Sequence, residues 1–299
     1  MGHHHHHHSP DSSAKNLAVA FFLNLGFTII EFIGGFYTNS LAIMSDALHD
    51  LGDSLSLGLA WYFQKLSTKK ATKNYSYGFK RFSLLGAIIN SVVLTVGSVF
   101  IIFEAIPRII SPEISNAKGM MWLAILGIIV NGAAVLKLKK GTSINERVVS
   151  LHLLEDVLGW VAVLIASVIM QFWDVPVLDP ILSLLIAGYV LFNVFKNIKE
   201  SIRIILQGTP KEISVGDIRK KLLGINEIKD IHDCHLWTMD GQYNVFTSHL
   251  ILHDETFSWQ ESKELKEKVR TLLHDVFHLE HITLELEISS EDCSYKECN

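Results

Sequence analysis

Apolar residues are concentrated in the first two thirds of the chain, where they form six runs of about 20 residues separated by polar segments. A helix of about 20 apolar residues spans the hydrocarbon core of a bilayer, so each run predicts a transmembrane helix. The predicted spans are 17–37, 41–66, 82–106, 120–138, 148–172 and 177–195. Very short segments separate the first span from the second and the fifth from the sixth, so these pairs are predicted to be antiparallel neighbours.

The pattern changes after residue 208, where charged residues become frequent and apolar positions recur at shorter intervals. It predicts a helix at 215–223, strands at 228–237 and 243–252, a helix at 259–277 and a strand at 282–288. The chain is therefore predicted to comprise a tag and flexible N-terminus at 1–14, a six-helix transmembrane domain at 15–208 and a soluble α+β domain at 209–299.

Lysine and arginine residues are unevenly distributed among the predicted loops. Six of them lie between Lys65 and Arg81, around the end of the second span, and four lie between Lys137 and Arg147, around the end of the fourth. The loops on the opposite side carry only Arg108 and Lys118. Cytoplasmic loops of membrane proteins are enriched in these residues, so both termini and the soluble domain are predicted to face the cytoplasm. No cleavable signal peptide is evident, so the first span would itself direct insertion.

The overall composition agrees with a membrane protein and disfavours some other classes. Hydrophobic residues make up 49% of the 299 residues, and the formal net charge is −5. This charge, without a cluster of basic residues, argues against nucleic-acid binding. The six histidines at 3–8 are interpreted as a purification tag.

Two histidine–aspartate pairs lie inside predicted spans, His49 with Asp53 in the second and His152 with Asp156 in the fifth. Ionisable side chains at membrane depth are energetically expensive and are therefore candidates for function. A spacing of four residues places the members of each pair on the same face of a helix. The alternative interpretation is that these side chains are buried polar groups that bond between helices.

The two pairs are expected at a similar depth in the bilayer. At about 1.5 Å per helical residue, His49 and Asp53 lie roughly 12 and 18 Å below the outer boundary. His152 and Asp156 lie roughly 7 and 13 Å above the inner boundary of a core about 30 Å thick. Two imidazoles and two carboxylates at one level suit a tetrahedral Zn²⁺ ion, whereas copper(I) would favour thiolates.

Candidate metal ligands also occur in the soluble domain. His249 and Glu287 are expected on the open face of the predicted sheet, and His232 lies on a further strand. Together they predict a regulatory zinc site. Cys293 and Cys298 are spaced more widely than the cysteines of most zinc knuckles, so they either complete a zinc site or are reduced thiols.

Six short stretches, taken in their order and spacing, resemble the cation diffusion facilitator family over nearly the whole chain after the tag. They are GG at 34–35, NSLA at 39–42, SDALHDLGD at 45–53, YSYGFKR at 75–81, HLLED at 152–156 and HDCHLW at 232–237. The resemblance implies an integral membrane protein with six transmembrane helices and a cytoplasmic ferredoxin-like domain, usually a homodimer. It also implies export of divalent metal from the cytoplasm, commonly in exchange for protons.

Position by position, the resemblance implies that His49, Asp53, His152 and Asp156 form the transport site, and a histidine at position 49 is similar to the zinc-preferring branch. We therefore expect a Zn²⁺/H⁺ antiporter that exports zinc, in a bacterial inner membrane. Export of Cd²⁺, Co²⁺, Fe²⁺ or Mn²⁺ is the main alternative. An intramembrane metalloenzyme is disfavoured because the spans lack the H-E-x-x-H signature, so the chain is not expected to be an enzyme.

Overall fold

Six long helices occupy residues 10–205 of the computed structural model, which describes residues 10–67, 69–138, 144–253, 256 and 258–288. They are α1 (Pro10–Thr38), α2 (Leu41–Ser67), α3 (Phe82–Ile110), α4 (Ala117–Leu138), α5 (Ile144–Phe172) and α6 (Leu178–Ile205). Each helix coincides with one of the apolar runs of the sequence. The prediction of six helices in this order is therefore confirmed.

Five of these helices contain a stretch that is long and apolar enough to cross a membrane. The stretches are Phe21–Thr38, Phe82–Ile110, Ala117–Leu136, Ser150–Phe172 and Leu178–Ile205. Helix α2 does not belong to this group, because Asp46, His49, Asp50 and Asp53 interrupt its apolar sequence. The assignment of residues 41–66 as a transmembrane span therefore depends on the role of these polar residues.

The chain divides into two units. One consists of Met1–Tyr62 and Gly86–Ile198, and the other consists of Phe63–Leu85 and Lys199–Asn299. The first unit holds most of the six long helices, and the second combines the C-terminal residues with the connection between α2 and α3.

The core of the helical unit is built around Trp160 on α5, which is fully buried. A Cβ atom at Gly127 on α4 would lie only 2.4 Å from the indole ring, so glycine is needed for this contact. Phe27 on α1 packs edge-on against the same ring, with the ring centroids 5.6 Å apart. Small residues allow such close approach of helices in membranes, where van der Waals packing drives helix association.

A carboxylate from α6 holds the first turn of α2. Asp179 is fully buried and accepts a hydrogen bond from Ser40 Oγ at 2.5 Å. It also accepts from the backbone nitrogen atoms of Leu41 at 2.8 Å and Ala42 at 3.2 Å. The first N–H groups of a helix lack partners within the helix and favour a negative charge beside them. This contact therefore fixes the start of α2 against the start of α6.

The C-terminal unit contains a sheet and two shorter helices. Its elements are α7 (Val215–Leu222), β1 (Ile228–Thr238), β2 (Asn244–Leu252), α8 (Trp259–Phe277) and β3 (Leu279–Glu287). Strand β2 is central, antiparallel to β1 and parallel to β3. Leu222, Phe246 and Val269 belong to the apolar core that the helices and strands share. The predicted order of helix, strand, strand, helix and strand is confirmed.

Strand β3 begins at Leu279, earlier than the predicted start at 282. The reason is the way that α8 ends. His278 adopts a left-handed conformation with φ of 53°, so a single residue separates the helix from the strand. At its other end, α8 begins with a capping box between Ser258 and Glu261, which satisfies N–H groups of its first turn.

Replacing Asp179 with alanine is expected to destabilise the helical unit, because three donors at the start of α2 lose a buried acceptor. The loss should amount to about 1–3 kcal/mol and should appear as a lower apparent Tm of the full chain in detergent. Asp179→Asn, which keeps an acceptor oxygen, should lower the Tm less. Glu113→Ala removes a partly exposed ion pair with Arg108 and should have little effect. An equal decrease in all three variants would contradict the role of Asp179.

Candidate metal centres

His49 and Asp53 lie one turn apart on α2, and His152 approaches them from α5. The Nε2 atom of His152 is 2.8 Å from Asp53 Oδ2, and the Nε2 atom of His49 is 3.5 Å from the same oxygen. The two imidazole rings meet edge to face, with centroids 5.8 Å apart. One donor atom from each residue lies within 4.8 Å of the other two. The structure thus brings together three of the four predicted ligands.

The spacing of these three donors suits a divalent metal ion. Around a tetrahedral Zn²⁺ ion with bonds near 2.1 Å, neighbouring donors are about 3.4 Å apart. The observed separations of 2.8 and 3.5 Å lie on either side of that value. The nitrogens of two imidazoles therefore converge on one carboxylate oxygen, an arrangement that suits ligands of a shared cation.

Asp156 lies one turn beyond His152 on α5 but does not belong to the three-donor group. Its side chain is only 4% exposed, and its Oδ2 atom has no hydrogen-bond partner in the part of the chain that the structure describes. Both members of the α2 pair therefore reach the cluster, whereas on α5 only the histidine does. The role of Asp156 as a fourth ligand stays a prediction.

A cavity of about 310 Å³ is lined by His49, Asp53 and His152. Two polar residues from other positions, Asn90 on α3 and Glu155 on α5, also form its wall. The cavity therefore gives the three-donor group contact with a polar space inside a bundle whose other surfaces are largely apolar.

Helix α6 supplies further polar side chains to the wall of this cavity, namely Tyr189, Asn193, Lys196 and Asn197. These residues were not predicted as part of the site. The spacing of four between Tyr189, Asn193 and Asn197 repeats one helix face, and it begins within an otherwise apolar run. That periodic stripe is the signal in the sequence that identifies the wall.

Three further carboxylates are buried in the helical unit, Glu31 on α1 and Asp46 and Asp50 on α2, and each is at most 5% exposed. Both oxygens of Glu31, both oxygens of Asp50 and Asp46 Oδ2 have no hydrogen-bond partner within the described residues. They do not line the cavity beside His49. A buried ionised carboxylate without partners is strongly disfavoured, so these positions are unlike ordinary helix-packing residues.

A second cluster joins the three strands of the C-terminal unit. Donor atoms of His232 on β1, His249 on β2 and Glu287 on β3 lie within 4.8 Å of one another. The Nδ1 atom of His249 is 2.6 Å from Glu287 Oε1, and His232 Nε2 is 3.2 Å from Glu287 Oε2. Glu287 was expected on an open face, but it is only 7% exposed because the two imidazoles lie beside it. Metal binding by this cluster stays a prediction.

Two acidic residues that were not predicted lie next to the second cluster. Asp233 Oδ2 and Glu285 Oε2 are each 3.4 Å from His249 Nε2. The strand β1 is irregular between His232 and His235, and Asp233 there has φ of 49°. This bulge gives Asp233 a direction that simple alternation along a strand does not predict. Cys293 and Cys298 lie outside the described residues.

Comparison with known proteins covers both units. A family profile described as "Cation efflux transmembrane domain" matches residues 17–206, and one described as "Cation efflux protein, cytoplasmic domain" matches residues 210–289. The chain is 35% identical over 298 residues to the "Cadmium, cobalt and zinc/H(+)-K(+) antiporter" of Bacillus subtilis, covering 98% of this chain and 94% of that protein.

Two other relatives cover almost the same length. The chain is 31% identical over 301 residues to "Zinc transporter ZitB" of Escherichia coli, covering 99% of this chain and 94% of the relative. It is 30% identical over 291 residues to "Metal cation efflux system protein CzcD" of Cupriavidus metallidurans, covering 97% of this chain and 91% of the relative.

Replacing His249 with alanine is expected to abolish zinc binding by the second cluster, because His249 contacts Glu287 and both neighbouring acids. Isothermal titration of the full chain in detergent should show the loss of roughly one equivalent of bound zinc. His274→Ala is the matched control, since this exposed residue on α8 pairs with Asp275 and does not belong to the cluster. Unchanged zinc stoichiometry in His249→Ala would contradict the assignment.

Proposed function

Since the chain belongs to the cation efflux family, we propose that it exports Zn²⁺ from the cytoplasm by alternating access through the α2–α5 site. Membership of this family makes the chain an integral membrane transporter of metal cations and not an enzyme. The protein resides in a lipid bilayer, and its substrate is a divalent metal ion.

The observation that carries the proposal is the convergence of His49, Asp53 and His152 in a bundle of apolar helices. Two imidazole nitrogens and a carboxylate oxygen suit zinc, and Asp156 would complete four ligands. Imidazole ligands also accept cobalt and cadmium. The relative from B. subtilis is named for cadmium, cobalt and zinc, so export of these metals is the second candidate function.

Exchange with protons follows from the chemistry of these ligands. Imidazole must be neutral and a carboxylate ionised to bind a metal, so binding releases protons and protonation expels the metal. Histidine changes its charge near neutral pH, so the same side chains can hold either species in turn. We infer that zinc leaves the site on the outer side as protons replace it. The name of the B. subtilis relative includes H⁺, in keeping with this exchange.

Alternating access needs a site that meets one side of the membrane at a time. The cavity beside His49 and Asp53 would be the path from the cytoplasm. At the opposite end of α2, hydrogen bonds to Asp179 hold the first turn in place. In the proposed cycle, the cavity closes and the outer end of the site opens after metal has bound.

The proposed architecture extends the family assignment. Helix α2 is the sixth transmembrane span, because a transport site within the bilayer compensates for its aspartates. Both termini lie in the cytoplasm, and the domains comprise residues 15–208 and 209–299, the second with a ferredoxin-like fold. The protein functions as a homodimer in a bacterial inner membrane. Zinc at His232, His249 and Glu287 would regulate transport from the cytoplasmic side.

Substitution of the α2–α5 ligands is expected to abolish transport. Asp53→Asn keeps the size of the side chain but removes its charge, and His152→Ala removes a nitrogen donor. Zinc uptake into proteoliposomes should fall by more than the roughly 10–100-fold that follows loss of an outer-shell partner. Glu113→Gln, on an exposed loop residue, is the control and should retain full uptake. Normal uptake by either ligand variant would refute this transport site.

Zinc uptake is expected to depend on a proton gradient. Proteoliposomes with an acidic lumen should accumulate more zinc than vesicles at equal pH, because protons from the lumen displace the bound ion. A protonophore should abolish the difference, and zinc transport should acidify the outer solution. Equal zinc flux with and without the gradient would contradict proton exchange while leaving zinc transport itself intact.

A further inference from the structure

Asn90 is a polar residue of α3 that lines the same cavity as the three metal-binding side chains. Its side-chain oxygen is buried and has no hydrogen-bond partner within the described residues. A buried acceptor without a donor costs about 1–3 kcal/mol, so its retention in an apolar helix requires a reason. The sequence alone favours helix packing or cavity lining over metal ligation for this asparagine, and the cavity bears out the second of these roles. Packing alone would not use the free oxygen.

The contacts between α2 and α3 determine the level of Asn90. A Cβ atom at Gly52 would meet the side chain of Leu94, and one at Gly97 would meet the side chain of Leu48. The two helices therefore run antiparallel in a register that places position 90 level with position 56. Ser56 also lines the cavity. Along the helix axes, Asn90 is thus offset from Asp53 by about one helical turn, on the side away from the first turn of α2, and it lines the same cavity.

That axial offset does not exceed the reach of a metal-bound water molecule. From position 53 to position 56, a helix rises about 4.5 Å. A water oxygen lies about 2.1 Å from Zn²⁺, and its hydrogen bond adds about 2.8 Å. Three protein ligands leave one position of a tetrahedral ion for water, and three donors converge at His49, Asp53 and His152.

We propose that Asn90 is a specificity-determining residue of the transport site, whose side-chain oxygen accepts a hydrogen bond from the water that the metal ion retains when it binds His49, Asp53 and His152. This inference rests on the proposed function, because it requires metal at the α2–α5 site. When Asp156 joins the ligands, the water is displaced and the contact with Asn90 ends. Asn90 therefore acts while the ion is loaded from the cavity.

The proposal implies discrimination between metals. Zn²⁺ is smaller than Cd²⁺ and polarises its bound water more strongly, so the water on zinc is the better hydrogen-bond donor. An acceptor at Asn90 therefore favours zinc more than cadmium. Removing the acceptor should weaken the binding of zinc more than the binding of cadmium. It should change the affinity for the ion more than the rate of the later steps of transport.

The test measures KM and maximal rate for zinc and for cadmium in proteoliposomes. Asn90→Leu removes the oxygen at similar volume, and Asn90→Asp keeps an acceptor oxygen. Asn131→Leu is the matched control, because Asn131 on α4 is buried, its amide nitrogen has no partner within the described residues, and it does not line the cavity. A monodisperse elution profile and an unchanged far-UV circular dichroism spectrum of the full chain in detergent verify that each variant is folded, and Asn90→Ala replaces the leucine variant where the larger side chain prevents folding.

Asn90→Leu is expected to raise the KM for zinc about tenfold, the lower end of the effects of outer-shell partners on metal affinity. Its maximal rate should stay within about twofold of the parent, since the inner ligands are intact. The KM for cadmium should rise less, and Asn90→Asp and Asn131→Leu should resemble the parent.

Two results would overturn the role of Asn90. One is an unchanged zinc KM and unchanged selectivity in Asn90→Leu, or in Asn90→Ala where that variant is used. The other is equal impairment of Asn90→Leu and Asn90→Asp, which would indicate that the acceptor is irrelevant. Asp53→Asn is measured in the same series. If it is inactive while Asn90→Leu is normal, only this inference fails, whereas normal transport by Asp53→Asn refutes the proposed function itself.

Discussion

The high energy of a polar group in a low-dielectric interior is the constraint on which the arrangement of the helical unit depends. Large apolar side chains such as Phe36, Phe103 and Phe195 are more than two-thirds exposed. Glu31 and Asp50 are at most 1% exposed. This distribution is the reverse of that in a water-soluble bundle, and it matches a bundle surrounded by lipid. Polar groups are confined to the interior, where they must find hydrogen bonds, protons or metal ions.

Helix α2 shows how the fold meets this constraint. Its sequence is too polar to resemble the other spans, yet it occupies the interior of the unit. Asp179 holds its first turn, and α3 packs against it at Gly52 and through Gly97. These contacts fix the helix without using His49 or Asp53, so both side chains remain directed at His152. The ligands of the candidate site are therefore positioned by residues that do not touch the metal.

Much of this arrangement was predictable from the sequence, because apolar run length and the spacing of four are local properties. The six helices, the order of elements after residue 208 and the convergence of His49, Asp53 and His152 follow from such local patterns. The position of Asp156 does not, since it depends on the rotation of α5 about its axis. The burial of Glu287 and the direction of Asp233 also escape prediction, because they depend on strand pairing and on a bulge.

The two candidate metal centres contain the same kinds of ligand, and the proposed function assigns them different purposes. Each combines two histidines with one carboxylate, so the choice of donors alone does not distinguish transport from regulation. Their surroundings do. At the C-terminal cluster, Asp233 and Glu285 add acidic groups near His249, which favours retention of a cation.

A transport site must also release its ion, and it therefore benefits from an incomplete set of ligands. In the proposed cycle, three donors with a separate Asp156 would provide a weaker and a stronger state of the same site, and movement of α5 relative to α2 would convert one into the other. Alternating affinity and alternating access would then be consequences of a single displacement.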